Sequence, residues 1–181
     1  AFVVQYLAAH PAHGLGVKVA AHAHGTNGIN AALRAGVDRI DHGSFLDKES
    51  IRLFRETGAY LVPTLMPGHV LPAQMEGNPF FTDAIKAKAL AASAASKESV
   101  GKAHEGGVKI AFGTDTGVTR HGDNAQEFAL LVAAGMSEME AIQTATVATA
   151  DLLGMSDSLG TLLQSMKARS KMLQRLSGSA L

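Results

Sequence analysis

Residues 17–43 read VKVAAHAHGTNGINAALRAGVDRIDHG, and this stretch decides the fold class. A short β-branched run, Val17–His22, predicts a strand, and a second such run follows at Val37–His42. Between them, Thr26–Ala35 carries apolar residues at helical spacing, and Gly36 can end that helix. A strand, a helix and a second strand in this order form a right-handed βαβ unit, so the two strands lie parallel in one sheet.

The same alternation continues along the chain. A helix N-capped by Asp47 and ended by Gly58 comes next, followed by a strand over Ala59–Thr64 and a loop over Met66–Phe81. A helix over Asp83–Glu105 and a strand over Val108–Phe112 follow. The last two predicted helices run from Asp123 to Ala134, where Asp123 and Gln126 resemble a capping box, and from Ser137 to about Leu153, which begins with the spacing S-x-x-E. We expect Met139, Ile142 and Leu152–Leu153 in the core. Four βα units fit half of a (β/α)₈ barrel or a small open sheet, and composition does not choose between them.

Composition excludes several classes of protein. The 181 residues hold 16 Lys and Arg against 16 Asp and Glu and contain no Cys, which argues against nucleic acid or an anionic membrane as partner and rules out thiolate chemistry. No apolar run is long enough to span a membrane, and no signal peptide is visible, so we expect a cytoplasmic location.

Charge is unevenly distributed along the chain. Residues 1–157 hold 12 bases and 16 acids, whereas residues 158–181 hold four bases and no acid. We therefore expect two segments: an α/β unit over 1–157 and an atypical basic helical tail over 158–181.

Polar residues follow three of the four predicted strands. The first strand ends in His22-Ala23-His24, the second in Asp41-His42, and the fourth leads to Asp115. The carboxyl ends of parallel strands meet at one edge of the sheet, where binding sites are built. Side chains alternate along a strand, so His22 and His24 share one face. Imidazole and carboxylate are ligands that zinc accepts, although each histidine could instead form ordinary hydrogen bonds at a strand end.

Two blocks carry a resemblance to a known family. Residues 17–47 (VKVAAHAHGTNGINAALRAGVDRIDHGSFLD) and 110–154 (IAFGTDTGVTRHGDNAQEFALLVAAGMSEMEAIQTATVATADLLG) resemble the amidohydrolase superfamily. Within it they are most similar to the branch of imidazolonepropionase-like hydrolases, prolidase- and carboxypeptidase-type enzymes and ochratoxin-type amidases. The resemblance implies a metal-dependent TIM barrel, of which this chain is the C-terminal half, strands five to eight with their helices.

The resemblance also implies roles for individual residues. His22 and His42 match the metal ligands at the ends of the family's strands five and six. Asp115 matches the strand-eight aspartate, which binds metal and acts as general base and then as general acid. His24 lies beside a ligand on the same face and is interpreted as a substrate contact or a residue supporting the ligand. His121, in the segment after the last strand, is interpreted as a substrate-side residue, with simple helix N-terminus chemistry as the alternative.

The implied activity is hydrolysis of a C–N bond. The resemblance calls for one or two divalent ions, with zinc preferred, and for a small amide, cyclic amide or dipeptide-like substrate attacked by water. Two alternatives stay open: a deaminase of the same superfamily, and a non-catalytic half barrel that self-associates through unpaired sheet edges.

The sequence departs from the family pattern in two respects. The family's strand-one H-x-H pair and its strand-four lysine have no counterpart, so at least two metal ligands are missing. We therefore expect these 181 residues alone to bind metal weakly, to show little activity, and to act as a homo-oligomer or with a separate N-terminal half. The second departure is the tail. One interpretation is an apolar stripe for a membrane surface or a partner, formed by Leu162, Met166, Leu173 and Leu176. The alternative is a sequence that is no longer selected for the family fold.

Overall fold

The computed structural model describes residues 11–79 and 81–167. Its centre is a parallel four-stranded sheet in which the strands follow one another in chain order. The strands are β1 (Ala20–Ala23), β2 (Arg39–His42), β3 (Tyr60–Val62) and β4 (Lys109–Ile110). Each is shorter than predicted, but all four predicted strands are present.

Helices connect the strands, and most of them pack against one face of the sheet, whereas Leu152 of the last helix packs with Tyr60 and Val62 in a smaller buried cluster. The helices are α1 (Thr26–Arg34), α2 (Lys48–Thr57), α3 (Leu65–Met75), α4 (Asp83–Glu105), α5 (Gln126–Ala133), α6 (Glu138–Gln143), a π-helical turn (Thr144–Ala148) and α7 (Thr149–Leu152). One buried residue of each strand forms a row across this face, because Ala21 pairs with Ile40, Ile40 with Leu61, and Leu61 with Ile110. This row belongs to the main hydrophobic core. The core therefore fixes the register of the strands, and with it the positions of the residues at their ends.

The N-cap predicted at Asp47 and one of the two predicted capping boxes, at Ser137, form. The Asp47 side chain accepts a hydrogen bond from the Ser50 amide, and Ser137 and Glu140 cap each other in the same reciprocal way. The box predicted at Asp123 is wrong, since α5 begins after Ala125 without a side-chain cap. The reason is local, because the Gln126 amide donates to the main-chain carbonyl of Asp123 in a backbone turn.

The loop predicted over Met66–Phe81 is largely a helix, α3, although it contains Pro67 and Pro72. Pro67 lies in the first turn, where its missing N–H would have no partner within the helix. Pro72 lies inside the helix, so the Gly68 carbonyl loses its usual donor. The Ser93 hydroxyl of α4 donates to that carbonyl instead, at 2.8 Å. A tertiary hydrogen bond thus replaces the one that the proline removes.

The expected core positions near the end of the described chain divide into two groups. Leu152 is buried, whereas Met139, Ile142 and Leu153 are exposed, which corrects the prediction for these three. The helical period explains the exposure in α6, since Ala141 is the residue that it buries. Residues 162–167 are helical, and Leu162 and Met166 are exposed. Most of the tail predicted over 158–181, with Leu173 and Leu176, lies outside the described residues. Within the described ranges, no helix combines the length and apolar character needed to cross a bilayer.

Candidate metal centre

Three histidines meet at the carboxyl edge of the sheet. His22 lies near the end of β1, His24 follows that strand, and His42 ends β2. One ring nitrogen from each lies within 4.8 Å of the others, and His42 Nε2 is 2.8 Å from His22 Nδ1. The rings of His24 and His42 are stacked with centroids 4.6 Å apart. We refer to His22, His24 and His42 as the histidine cluster.

Hydroxyl groups hold two of the three rings by their Nδ1 atoms. His42 Nδ1 lies 2.6 Å from Thr64 Oγ1, and His24 Nδ1 lies 2.7 Å from Ser44 Oγ. Ser44 is buried and also accepts a hydrogen bond from Ser96 of α4 at 2.7 Å. A hydrogen bond at one ring nitrogen selects the tautomer and orients the other nitrogen. The cluster is therefore held by contacts beyond the strand ends.

Burial and the neighbouring rings lower the pKa of two members of the cluster, His24 and His42. Burial is the largest cause that lowers the pKa of His42, the neighbouring His22 and His24 add to it, and Asp115 opposes them, with a result of about 4. The pKa of His24 is also lowered, chiefly by burial and then by His22, again against Asp115. Neutral imidazoles offer lone pairs, which is the form in which histidine binds a metal ion. The donor set thus fits a divalent cation.

Acidic residues lie beside the cluster. Asp115 is exposed after β4 and lines the same cavity as the three histidines. Asp41 precedes His42 in β2, and burial raises its pKa while Arg39, with Nε 3.2 Å from Asp41 Oδ1, opposes that rise. A cation in the cavity would therefore face imidazole nitrogens and the Asp115 carboxylate.

Backbone strain is concentrated at the same edge. In the described ranges, the residues other than glycine that have a positive φ are His42 at 76°, Thr64 at 48° and Asp115 at 50°. All three line the cavity. Side chains with a branched or bulky Cβ rarely adopt this region, and each such residue costs on the order of 1–3 kcal/mol. The surrounding structure must therefore hold each of them in place.

The cavity itself has a volume of about 430 Å³. The cluster, Thr64 and Asp115 line one side, and α3 and α4 supply a mostly apolar wall. That wall consists of Pro67, Gly68, Leu71, Ile85, Lys88, Ala89, Ala92 and Ser93. Such a cavity can hold a small molecule with an apolar portion beside the polar cluster.

The structure brings together four of the five predicted site residues: His22, His24, His42 and Asp115. His121 is exposed in the segment between β4 and α5 and is not among the residues that line the cavity. Sequence reasoning did not identify Thr64 or Ser96 as site residues. A signal for Thr64 was available, because it lies two positions after the end of β3, at the same edge of the sheet as the histidines.

The sequence of this chain also matches a known protein family. The model of the amidohydrolase family matches residues 7–168, and the chain belongs to this family. The resemblance inferred from the two sequence blocks is confirmed.

Individual relatives agree with this assignment. A solved Xaa-Pro dipeptidase with bound methionine in its active site is 43% identical, with a TM-score of 0.82, and the match covers 87% of this chain and 39% of that one. An ochratoxinase from Aspergillus niger is 36% identical over 133 residues, covering 71% of this chain and 26% of the relative. An uncharacterized protein of Mycobacterium tuberculosis is 36% identical over 137 residues, covering 74% and 36% of the two chains.

The coverage bears on the fold. The chain spans between about a quarter and two fifths of the length of these relatives. Its four parallel strands and their helices match a part of the TIM barrel of the solved amidohydrolases, as the sequence predicted.

Proposed function

We propose that this chain supplies the C-terminal half of the active site of a metal-dependent hydrolase that cleaves an amide, cyclic amide or dipeptide-like C–N bond. The observation that carries the proposal is the histidine cluster, in which three imidazoles converge beside Asp115 at the carboxyl edge of a parallel sheet. Imidazoles have little reason to crowd together unless a shared ligand stabilises them.

His22, His42 and Asp115 would hold the divalent ion, with zinc the preferred metal because imidazole nitrogen and carboxylate oxygen are among its usual ligands. When bound, such an ion polarises a carbonyl group and makes water more acidic. Thr64 fixes the ring of His42, and Ser44 fixes that of His24. We assign His24 to substrate contact, and its ring is placed equally well to be a further ligand.

Asp115 is the group assigned to proton transfer. It lies at the open side of the cavity, where it can accept a proton from the attacking water and donate it to the leaving nitrogen. The products would be a carboxylate and an amine. His121, in the exposed segment that follows Asp115, is the further residue that we propose for substrate contact.

The substrate class follows from the cavity and the relatives. The wall formed by α3 and α4 favours a substrate with an apolar portion, and the relatives include an Xaa-Pro dipeptidase and an ochratoxinase. A deaminase would need the same cluster and a different electrophile, so product analysis separates the two activities.

A non-catalytic role is the second candidate, and it rests on a specific observation. Among the described residues, β1 and β4 each pair on one side only. Unpaired strand edges favour association with another chain, either a second copy or a separate N-terminal half. Size measurement in solution, with and without metal, tests this candidate directly.

Metal content tests the main proposal. The full 181-residue chain is loaded with zinc, freed of excess metal and measured by elemental analysis, alongside the variants His22→Ala, His42→Ala and His24→Ala. His13→Ala is the matched control, because His13 is bonded to Asp38 outside the cluster at 2.8 Å. We expect weak binding that is lost in His22→Ala and His42→Ala and kept in the control. Equal metal content in all the variants would refute the proposed site, and loss in His24→Ala would add that residue to the ligands.

A further inference from the structure

An unusual helix start lies next to the histidine cluster. The N-cap residue of α3 is Thr64, a residue type whose hydroxyl commonly accepts a hydrogen bond from the first turn of its own helix. Here the Thr64 side chain makes no such bond. Its Oγ1 instead lies 2.6 Å from His42 Nδ1. The hydroxyl thus serves the ring and leaves the first amides of α3 without their usual cap.

A buried glutamate from another helix takes over that cap. Glu127 of α5 is fully buried, and its two carboxyl oxygens accept hydrogen bonds from the Leu65 and Met66 amides, each at 2.8 Å. These amides are the first two of α3. The positive end of the helix and two N–H donors are what stabilises a carboxylate away from water.

We propose that Glu127 is a positioning residue for the candidate metal centre: by capping α3 in place of Thr64, it leaves the Thr64 hydroxyl free to hold the His42 ring. In this arrangement His42 Nδ1–H donates to Thr64 Oγ1, so Nε2 carries the lone pair directed into the cluster. The inference rests on the proposed function, since it concerns the same ring. It adds a residue that lies outside the cavity and touches none of the proposed ligands.

The backbone of Thr64 supports this reading. Its φ of 48° is in the left-handed region, which a β-branched residue adopts only under constraint. The constraint comes from both sides, because β3 precedes Thr64 and the amides held by Glu127 follow it. Without the distant cap, Thr64 can relax toward an ordinary N-cap conformation, and its hydroxyl then turns from His42 to the amides of α3.

The test compares the Glu127→Gln variant with the wild-type 181-residue protein in two measurements. The first is the ring ¹⁵N spectrum of metal-free protein, which reports the tautomer of His42 directly. The second is zinc affinity, determined by competition with a chelator. We expect the Nδ1–H tautomer of His42 to lose population in Glu127→Gln and zinc affinity to fall about tenfold or more, the range found for residues that orient a metal ligand. Glu140→Gln is the matched control, because Glu140 also caps a helix, α6, but contacts Ser137 and His104 instead of the cluster.

A double-mutant cycle separates positioning from a merely structural role. In a Thr64→Ala background, Glu127→Gln should cause no further loss of zinc affinity, whereas Thr64→Ser should retain the wild-type ring spectrum. Unchanged His42 signals in folded Glu127→Gln protein would overturn the inference, and so would an equal loss of affinity in both backgrounds. If the unmodified chain binds no zinc, the proposed function fails, and the ring spectrum still decides the role of Glu127.

Discussion

Replacing Glu127 by Gln should change how the stability of the protein depends on pH. Burial raises the pKa of Glu127 from 4.5 to about 7, against the hydrogen bonds from the Leu65 and Met66 amides, which lower it. Because the folded pKa lies above the unfolded one, the folded state binds more protons between these two values. The free energy of unfolding therefore falls as pH rises from about 4.5 to 7, and the contribution present below that range is lost.

The magnitude follows from the shift. About 2.5 pKa units at roughly 1.4 kcal/mol each correspond to about 3 kcal/mol between pH 4.5 and a pH above 7. The side chain is fully buried, so solvent does not screen this contribution. Glutamine does not titrate, so the variant lacks this slope.

Urea unfolding of both proteins, followed by circular dichroism from pH 4.5 to 8 with a chelator present, measures the effect. The stability of the wild type minus that of Glu127→Gln should decline by about 3 kcal/mol over this range. A difference that stays constant with pH would show that Glu127 is ionised throughout, and hence that the two N–H donors outweigh burial. That result would refute the pH reasoning while leaving the cap on α3 intact.

Three further changes have expected outcomes in the same unfolding assay. Gly43→Ala should destabilise the protein by more than Gly36→Ala, although both glycines have a positive φ. An added Cβ at Gly43 would lie 2.4 Å from a side-chain carbon of Leu61 in β3, whereas at Gly36 it would meet open space. Equal losses of stability in the two variants would contradict this prediction. Ser93→Ala removes the donor to the Gly68 carbonyl, so a loss of about 1 kcal/mol is expected, and unchanged stability would mean that water replaces the hydroxyl. Phe54→Ala empties a fully buried position of the main core and should cost about 3–5 kcal/mol, a value that a loss below 1 kcal/mol would rule out.

The sheet and the histidine cluster were predictable because their signals are local. Each strand is a short β-branched run, and polar residues interrupt the apolar pattern where a strand ends, as at His22 and His42. The helix caps at Asp47 and Ser137 were also local, since the capping residue and its partner lie three positions apart. Parallel pairing then brings the strand ends together without further information.

Helix α3 was not predictable, because its stability depends on residues far away in sequence. Pro72 removes a helical hydrogen bond, and the compensating donor, Ser93, belongs to α4. The first amides of α3 are capped by Glu127, 62 positions after Leu65. Proline and glycine predict a loop when only the neighbouring residues are considered, and these two tertiary contacts reverse that prediction.

The same dependence on distant contacts applies to the backbone around the candidate site. Nothing in the sequence near His42, Thr64 or Asp115 requires a positive φ, and glycine would adopt it at lower cost. The strain is nevertheless confined, among the described residues, to three positions on one cavity, each at or after the end of a strand. If positive φ served only the fold, residues other than glycine would adopt it at tight turns throughout the described chain. At the other described positions with a positive φ, the residue is glycine. The restriction of the strain to this cavity is therefore an argument, independent of the family comparison, that these side chains are held for their chemistry.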